Sequence, residues 1–176
     1  MKEVFLIFPV HLFPRDKLKH TSMTHILIEE PIYFGDHEIK MKFNQIKLTF
    51  HRASLKYYQD YLESFAKSKI KTKYIDYHDV DKYQFLKKYD KIHLFDVVDN
   101  YLMKKLKKYV EIKLKKKIVV HENPGFLTTN TQLKEFHKNN KKERYSHHQF
   151  YQWQLKILKP PGLKDLTKSY DNENRS

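Results

Sequence analysis

KIHLFDVVDNYLMKKLKKYVEIKLKKKIVVHENP, Lys91 to Pro124, holds the alternation that decides the fold. KIHLFDVVD (Lys91–Asp99) and KIVVHENP (Lys117–Pro124) are short apolar runs closed by charged or turn-forming residues, and Tyr101–Leu114 between them has helical spacing. A strand, a helix and a strand in that order predict a parallel crossover unit. Working outward, KTKYIDYHD (Lys71–Asp79) precedes it as a further strand, while VFLIFP (Val4–Pro9) and HILIEE (His25–Glu30) read as the first two, apolar on both faces. The predicted class is therefore α/β: a Rossmann-like, mainly parallel sheet with helices on both faces, plus a C-terminal helical extension. Asp76, Asp79, Asp96 and Asp99 end these runs and are placed to cap the next elements rather than to catalyse.

The longest helix spans Phe43–Phe65, without Gly or Pro. It carries one stripe of Ile46, Phe50, Ala53, Tyr57 and Tyr61 and another of Leu48, Leu55 and Leu62, which predicts packing against the sheet and a second element together. After residue 127 the chain changes character. A polar helix over Thr128–Asn140, capped by Thr128 or Thr129, has Leu133, Phe136 and His137 on one face. The basic run KNNKKERYSHH follows, then a helix over His147–Leu158 halted by Pro160-Pro161-Gly162, and a tail too polar to form a core. Residues 1–127 thus read as an α/β domain and 128–176 as helical connector and tail.

Composition narrows the function. With 35 Lys and Arg against 21 Asp and Glu, the net charge of +14 favours polyanions, although a Lys-, Tyr-, Ile- and Asn-rich chain is also what a large virus or another AT-rich genome encodes. No cysteine is present, which excludes disulfides and any iron–sulfur cluster held by this chain's thiolates. Neither a secretory leader nor a long apolar span is visible, so a soluble intracellular protein with no membrane role is expected. The turn after the first strand is FPVHLFPRD; its prolines and His11 stand where a dinucleotide or P-loop site needs glycines, which argues against both. His137, His147 and His148 form the densest histidine group, but neighbours on a helix point about 100° apart and do not chelate one ion unaided. Ser146 beside His147 and Ser54 near His51 lack any nucleophile elbow. KKLKKYVEIKLKKK (Lys104–Lys117) has charge for phosphates but a single aromatic, Tyr109, so it reads as a solvated face.

Six segments in order, FPVHLF (Phe8–Phe13), LIEEPIYF (Leu27–Phe34), KLTFHRASLKYY (Lys47–Tyr58), NPGFL (Asn123–Leu127), QFYQWQLKIL (Gln149–Leu158) and GLKDLTKSYDNENR (Gly162–Arg175), resemble the photolyase-related family of iron–sulfur bacterial cryptochromes and photolyases. The resemblance runs nearly end to end. It implies an N-terminal α/β domain of the antenna type, truncated before the helical domain that binds FAD and a 4Fe–4S cluster; the missing cysteines belong to that absent part. It implies an antenna cleft lined by Val10, His11, Glu30, Tyr33, Phe34 and His51, although a ribolumazine-binding member has a glycine–aspartate turn at Val10-His11, a glutamate near Tyr33 or Phe34, and an apolar residue at His51. The expected function is the non-catalytic N-terminal part of a split or truncated DNA-repair or light-sensing flavoprotein. Its partner would be a separately encoded FAD-binding photolyase domain, reached through Phe150, Tyr151, Trp153, Tyr170 and Arg175, with DNA contacted through that partner. No metal site is expected. The alternatives are a stand-alone basic nucleic-acid-binding module and a decayed fragment.

Overall fold

The computed structural model describes residues 2–18, 20–35, 40, 42–64, 70–79, 83–139 and 146–158. The chain divides into two compact units, Met1–Pro124 and Gly125–Ser176.

In the first unit five strands form one sheet: β1 (Glu3–Ile7), β2 (Thr24–Ile28), β3 (Lys71–Ile75), β4 (Lys91–Phe95) and β5 (Lys117–His121). All four pairings are parallel and the order is β3-β2-β1-β4-β5, the doubly wound arrangement that the sequence predicts. Val4–Ile7 of β1 are fully buried and β2 and β4 are nearly so, whereas edge strands β3 and β5 expose Lys71, Lys73 and Lys117. Lysines on an edge discourage pairing with another chain.

Alternate residues of each strand feed two cores. On one face Val4, Leu6, Ile26, Ile28, Ile92 and Leu94 pack under α3 (Asn100–Lys107) and the π-helical turn Lys108–Lys113 that continues it. On the other, Phe5, Ile7, Leu27 and Phe95 pack under α2 (Gln45–Glu63). Asp99 caps α3 as expected, its Oδ1 accepting from the Leu102 amide at 2.8 Å. Asp96 instead accepts from the Val98 amide and Asp76 from that of His78, while Asp79 is the last residue of the 3-10 turn Tyr77–Asp79; the long helix is capped by Asn44.

The two-stripe expectation for α2 fails. Leu55, Tyr58 and Leu62 are buried, but Ile46, Phe50 and Tyr57 are 79%, 67% and 73% exposed. The stripes lie far apart around the helix, and a helix laid on a sheet buries only the arc that faces it. Among the described residues between β1 and β2 there is a 3-10 turn, Arg15–Lys17, and no α-helix; the connection covers the sheet with Leu12, Phe13 and Leu18. Two α2 tyrosines tie it down, since Tyr58 Oη donates to the Phe13 carbonyl at 2.6 Å and Tyr61 Oη accepts from the Arg15 amide at 3.4 Å.

In the second unit α4 (Asn130–Asn139) opens with a capping box: Thr129 Oγ1 accepts from the Gln132 amide and Gln132 Oε1 accepts from that of Thr129. Phe136, 2% exposed, meets Phe150 and Trp153 of α5 (His147–Leu158) with ring centroids 5.1 and 5.2 Å away.

Candidate functional site at the carboxyl edge of the sheet

A parallel sheet whose order reverses between β1 and β4 opens a crevice at their carboxyl ends, where ligands of such folds bind. Here that crevice is filled. The chain turns at Pro9-Val10, with the His11 amide donating to the Phe8 carbonyl at 2.8 Å, and the fully buried His11 ring enters among Phe8, Phe13 and Phe95. Its Nε2 lies 3.2 Å from the Asp96 carbonyl, which also accepts from Asn123 Nδ2 at 2.8 Å. Burial pushes the His11 imidazole down to about 4, so it is neutral at pH 7 and donates through Nε2. Nδ1 is buried with no partner among the described residues. A phosphate cannot approach the backbone where this ring lies. Beside it Val98 holds φ 61°, a left-handed conformation that a β-branched residue adopts only under constraint.

The last residues after β2 point to opposite faces. Glu29, wholly buried, lies under α2 and receives four hydrogen bonds: Arg52 Nε at 2.6 Å, Arg52 Nη2 at 2.5 Å, Tyr74 Oη at 2.5 Å and the Tyr77 amide at 3.0 Å. Burial alone would raise this carboxyl, but the bonds from Arg52, Tyr74 and Tyr77 outweigh it and hold the group below the usual carboxylate range. Glu30, equally buried, bonds Tyr83 Oη and Lys105 Nζ, the latter at 2.9 Å, on the α3 face. Both carboxylates are thus consumed by the frame.

The short helix α1 (Pro31–Phe34) ends at Gly35, whose φ of 112° suits only glycine and whose carbonyl accepts from Tyr77 Oη at 2.8 Å. It brings Tyr33 and Phe34 against His51 of α2, at ring-centroid distances of 6.2 and 6.1 Å. His51 Nε2 is buried without a partner among the described residues, and burial, then Lys47, lowers its pKa. Burial, then Asp99 and Glu30, raises that of Tyr33. Alongside lies an open cleft of about 480 Å³ lined by Phe34, Leu48, Thr49, Arg52, Ala53, Tyr77 and His78. Arg52 is half exposed there, 5.9 Å from the Phe34 ring.

Of the six residues predicted for an antenna cleft, the structure gathers Tyr33, Phe34 and His51, commits Glu30 to its own ion pair on the α3 face, buries His11 in the crevice and leaves Val10 46% exposed in the turn. Arg52 and Tyr77, which sequence reasoning did not single out, line the cleft, and with Tyr74 they hold Glu29; an arginine facing the end of a strand that closes on two glutamates was the available signal. Of the predicted docking residues, Phe150 and Trp153 stack on each other and meet Phe136 edge-on and at a tilt respectively, Tyr151 is 38% exposed, and Tyr170 and Arg175 lie outside the described residues.

A sequence model of the deoxyribodipyrimidine photo-lyase-related proteins matches residues 5–176 of the chain. The chain belongs to that family. An uncharacterized protein, R852, of Acanthamoeba polyphaga mimivirus is similar to it, at 33% identity over 192 residues that cover 99% of this chain and 94% of the relative. The match to the photolyase-related family takes in both compact units, so the plugged crevice, the aromatic cleft and the terminal helices all lie within the region shared with it. Among the described residues no helix of this photolyase-related protein is long and apolar enough to cross a membrane.

Proposed function

We propose that this photolyase-related chain is the antenna-type part of a split flavoprotein and has no chemistry of its own. A separately encoded FAD-binding domain carries the cofactor, the iron–sulfur cluster and the contact with damaged DNA. The observation that carries the reading is the pairing of a family match over residues 5–176 with a carboxyl edge where His11, Glu29 and Glu30 are tied into the frame. A chain without cysteine supplies no thiolate ligand to a cluster, which also agrees with it. The relative aligned over 94% of its own length supports a maintained unit over a decayed remnant.

On this reading the cleft beside α2 receives the pigment. Phe34 and Tyr77 offer flat apolar walls, and the half-exposed Arg52 guanidinium offers a donor fork to an acidic or carbonyl-bearing ring system such as a ribolumazine. The terminal unit docks on the FAD domain through Tyr151, with the tail around Tyr170 and Arg175. Fluorescence titration of the purified chain with a ribolumazine should show saturable quenching that Ala53→Trp, which fills the cleft, abolishes. Sedimentation with a cysteine-bearing FAD domain of the family should show a complex that Tyr151→Ala weakens. Light-dependent repair of a pyrimidine dimer by the chain with FAD alone would overturn the proposal.

A second reading rests on the exposed Lys104, Lys107, Lys108 and Lys113 along α3 and its π-helical continuation, with Lys115 just beyond it, which suit a phosphate backbone. It requires that the chain alone bind DNA with an affinity that falls steeply as salt rises.

A further inference from the structure

The sheet brings together three histidines that lie far apart in sequence. His93 of β4 and His121 at the end of β5 are diagonal neighbours on one face, His93 pairing with Val119 and His121 with Phe95 in the strand register. Their rings stack with centroids 5.2 Å apart, and His93 Nδ1 lies 2.9 Å from His121 Nε2. His20, from the connection between β1 and β2, places its ring 5.2 Å from His93 and 5.0 Å from His121. One nitrogen from each of the three lies within 4.8 Å of the others.

We propose that His20, His93 and His121 bind one zinc-like divalent ion. Tetrahedral zinc with Zn–N near 2.05 Å sets its nitrogens about 3.3 Å apart. The ion therefore enters between the His93–His121 pair and draws His20 inward, a change that side-chain torsions accommodate. Behind His93, its other nitrogen Nε2 lies 3.4 Å from Glu3 Oε2, and Glu3 is held in turn by Lys91 Nζ at 2.9 Å. A carboxylate behind a ligating imidazole is the arrangement that orients metal-bound histidines and raises their basicity. In a chain of net charge +14, three gathered imidazoles with one carboxylate behind them make a poor ion-pair network and a good nitrogen donor set.

His20 is exposed, so a fourth coordination position opens to solvent and takes water. The ion pins the β1–β2 connection onto β4 and β5. This assignment is independent of the antenna reading and concerns histidines other than those of the terminal helix.

The test is isothermal titration of the chelator-treated chain with Zn²⁺ alone, with Co²⁺ absorption as a reporter of coordination geometry. One ion per chain, tetrahedral Co²⁺ bands and a rise in Tm with added zinc are expected. His20 holds φ 64°, so His20→Asn keeps a backbone that asparagine tolerates while removing the imidazole. It and His121→Ala should each weaken binding by at least about tenfold, and Glu3→Gln by about 10- to 100-fold. The double variant H147A/H148A should bind as the parent does. Absence of saturable binding by the parent chain, or parent-like binding by both His20→Asn and His121→Ala, would overturn the assignment.

Discussion

Arg52→Met is the perturbation that most directly tests the frame beneath the cleft. Glu29 is fully buried, and two of its four hydrogen bonds come from the Arg52 guanidinium. A bond to a charged group contributes about 1.5–3 kcal/mol, which sets an upper bound of about 3–6 kcal/mol for the two. Arg52 is 48% exposed, so water reaches its side and the loss is smaller, about 2–3 kcal/mol at pH 7. Methionine keeps the apolar stem, so packing contributes little. The variant also changes the sign of the pH response. In the parent chain Glu29 has a depressed pKa, so its stabilisation is present above the unfolded value near 4.3 and is lost as pH falls through the folded value. Without Arg52 burial dominates and the folded pKa rises above the unfolded one. The destabilisation is then full at neutral pH and fades as pH falls towards about 4. Urea unfolding of parent and variant at several pH values between 7 and 4.5 measures both. A difference below about 0.5 kcal/mol at pH 7, within the range of ordinary surface substitutions, would refute the reasoning, and so would a gap that stays constant with pH.

Three further outcomes are expected. His11 and His25 are both buried and held down to about 4, so the unfolded chain takes up protons near pH 6.5 before the folded chain does; stability should fall from pH 6.5 towards 5, and His25→Phe should flatten the slope in a urea series. Val98→Gly relieves a left-handed β-branched residue that is 61% exposed, and should raise stability by about 1 kcal/mol, read as a Tm increase of a few degrees; a fall would show that the Val98 side chain makes a contact worth more than its strain. Tyr57→Ser and Ile46→Lys, on the exposed arc of α2, should each shift stability by less than about 0.5 kcal/mol, and a loss above about 1.5 kcal/mol in thermal melts would restore the two-stripe packing that the sequence suggests.

The layered fold was legible because apolar runs such as Val4–Ile7 and Lys91–Phe95 alternate with helical spacing, and because few strand registers satisfy a sheet buried on both faces. The cap at Asp99 was equally local. What escaped the sequence depends on distance in three dimensions. The stripes of α2 look alike in periodicity, and only the position of the sheet chooses Leu55 and Leu62 over Ile46 and Phe50. Glu29 and Glu30 are adjacent letters with opposite destinations, one to Arg52 and the other to Lys105, because successive strand residues point to opposite faces. The histidine cluster shows the limit most clearly: His147 and His148 are neighbours in the chain and cannot converge, whereas His20, His93 and His121 converge only once the β4–β5 register is set.

The filled crevice gives the arrangement its logic. A doubly wound sheet normally binds at the switch point because glycines there leave room for a ligand beside free backbone amides. Here His11 occupies that room and accepts the cost of a nitrogen with no partner among the described residues in an aromatic cage, while Asn123 and His11 together occupy the Asp96 carbonyl. With the crevice closed, a concave surface with half-buried aromatic walls lies on the α2 side, where α1 ends at Gly35 and Tyr77 folds over it. Arg52 serves both purposes, since its fork neutralises Glu29 below while its outer edge remains exposed to the cleft. A ligand there would therefore have to leave the Glu29–Arg52 pair intact. A ligand that drew the guanidinium outward would leave a buried carboxylate short of two donors and would lose more than it gained. The cleft can favour only a ligand that accepts from Arg52 while the arginine stays in place, which selects for a flat molecule lying along Phe34 and Tyr77.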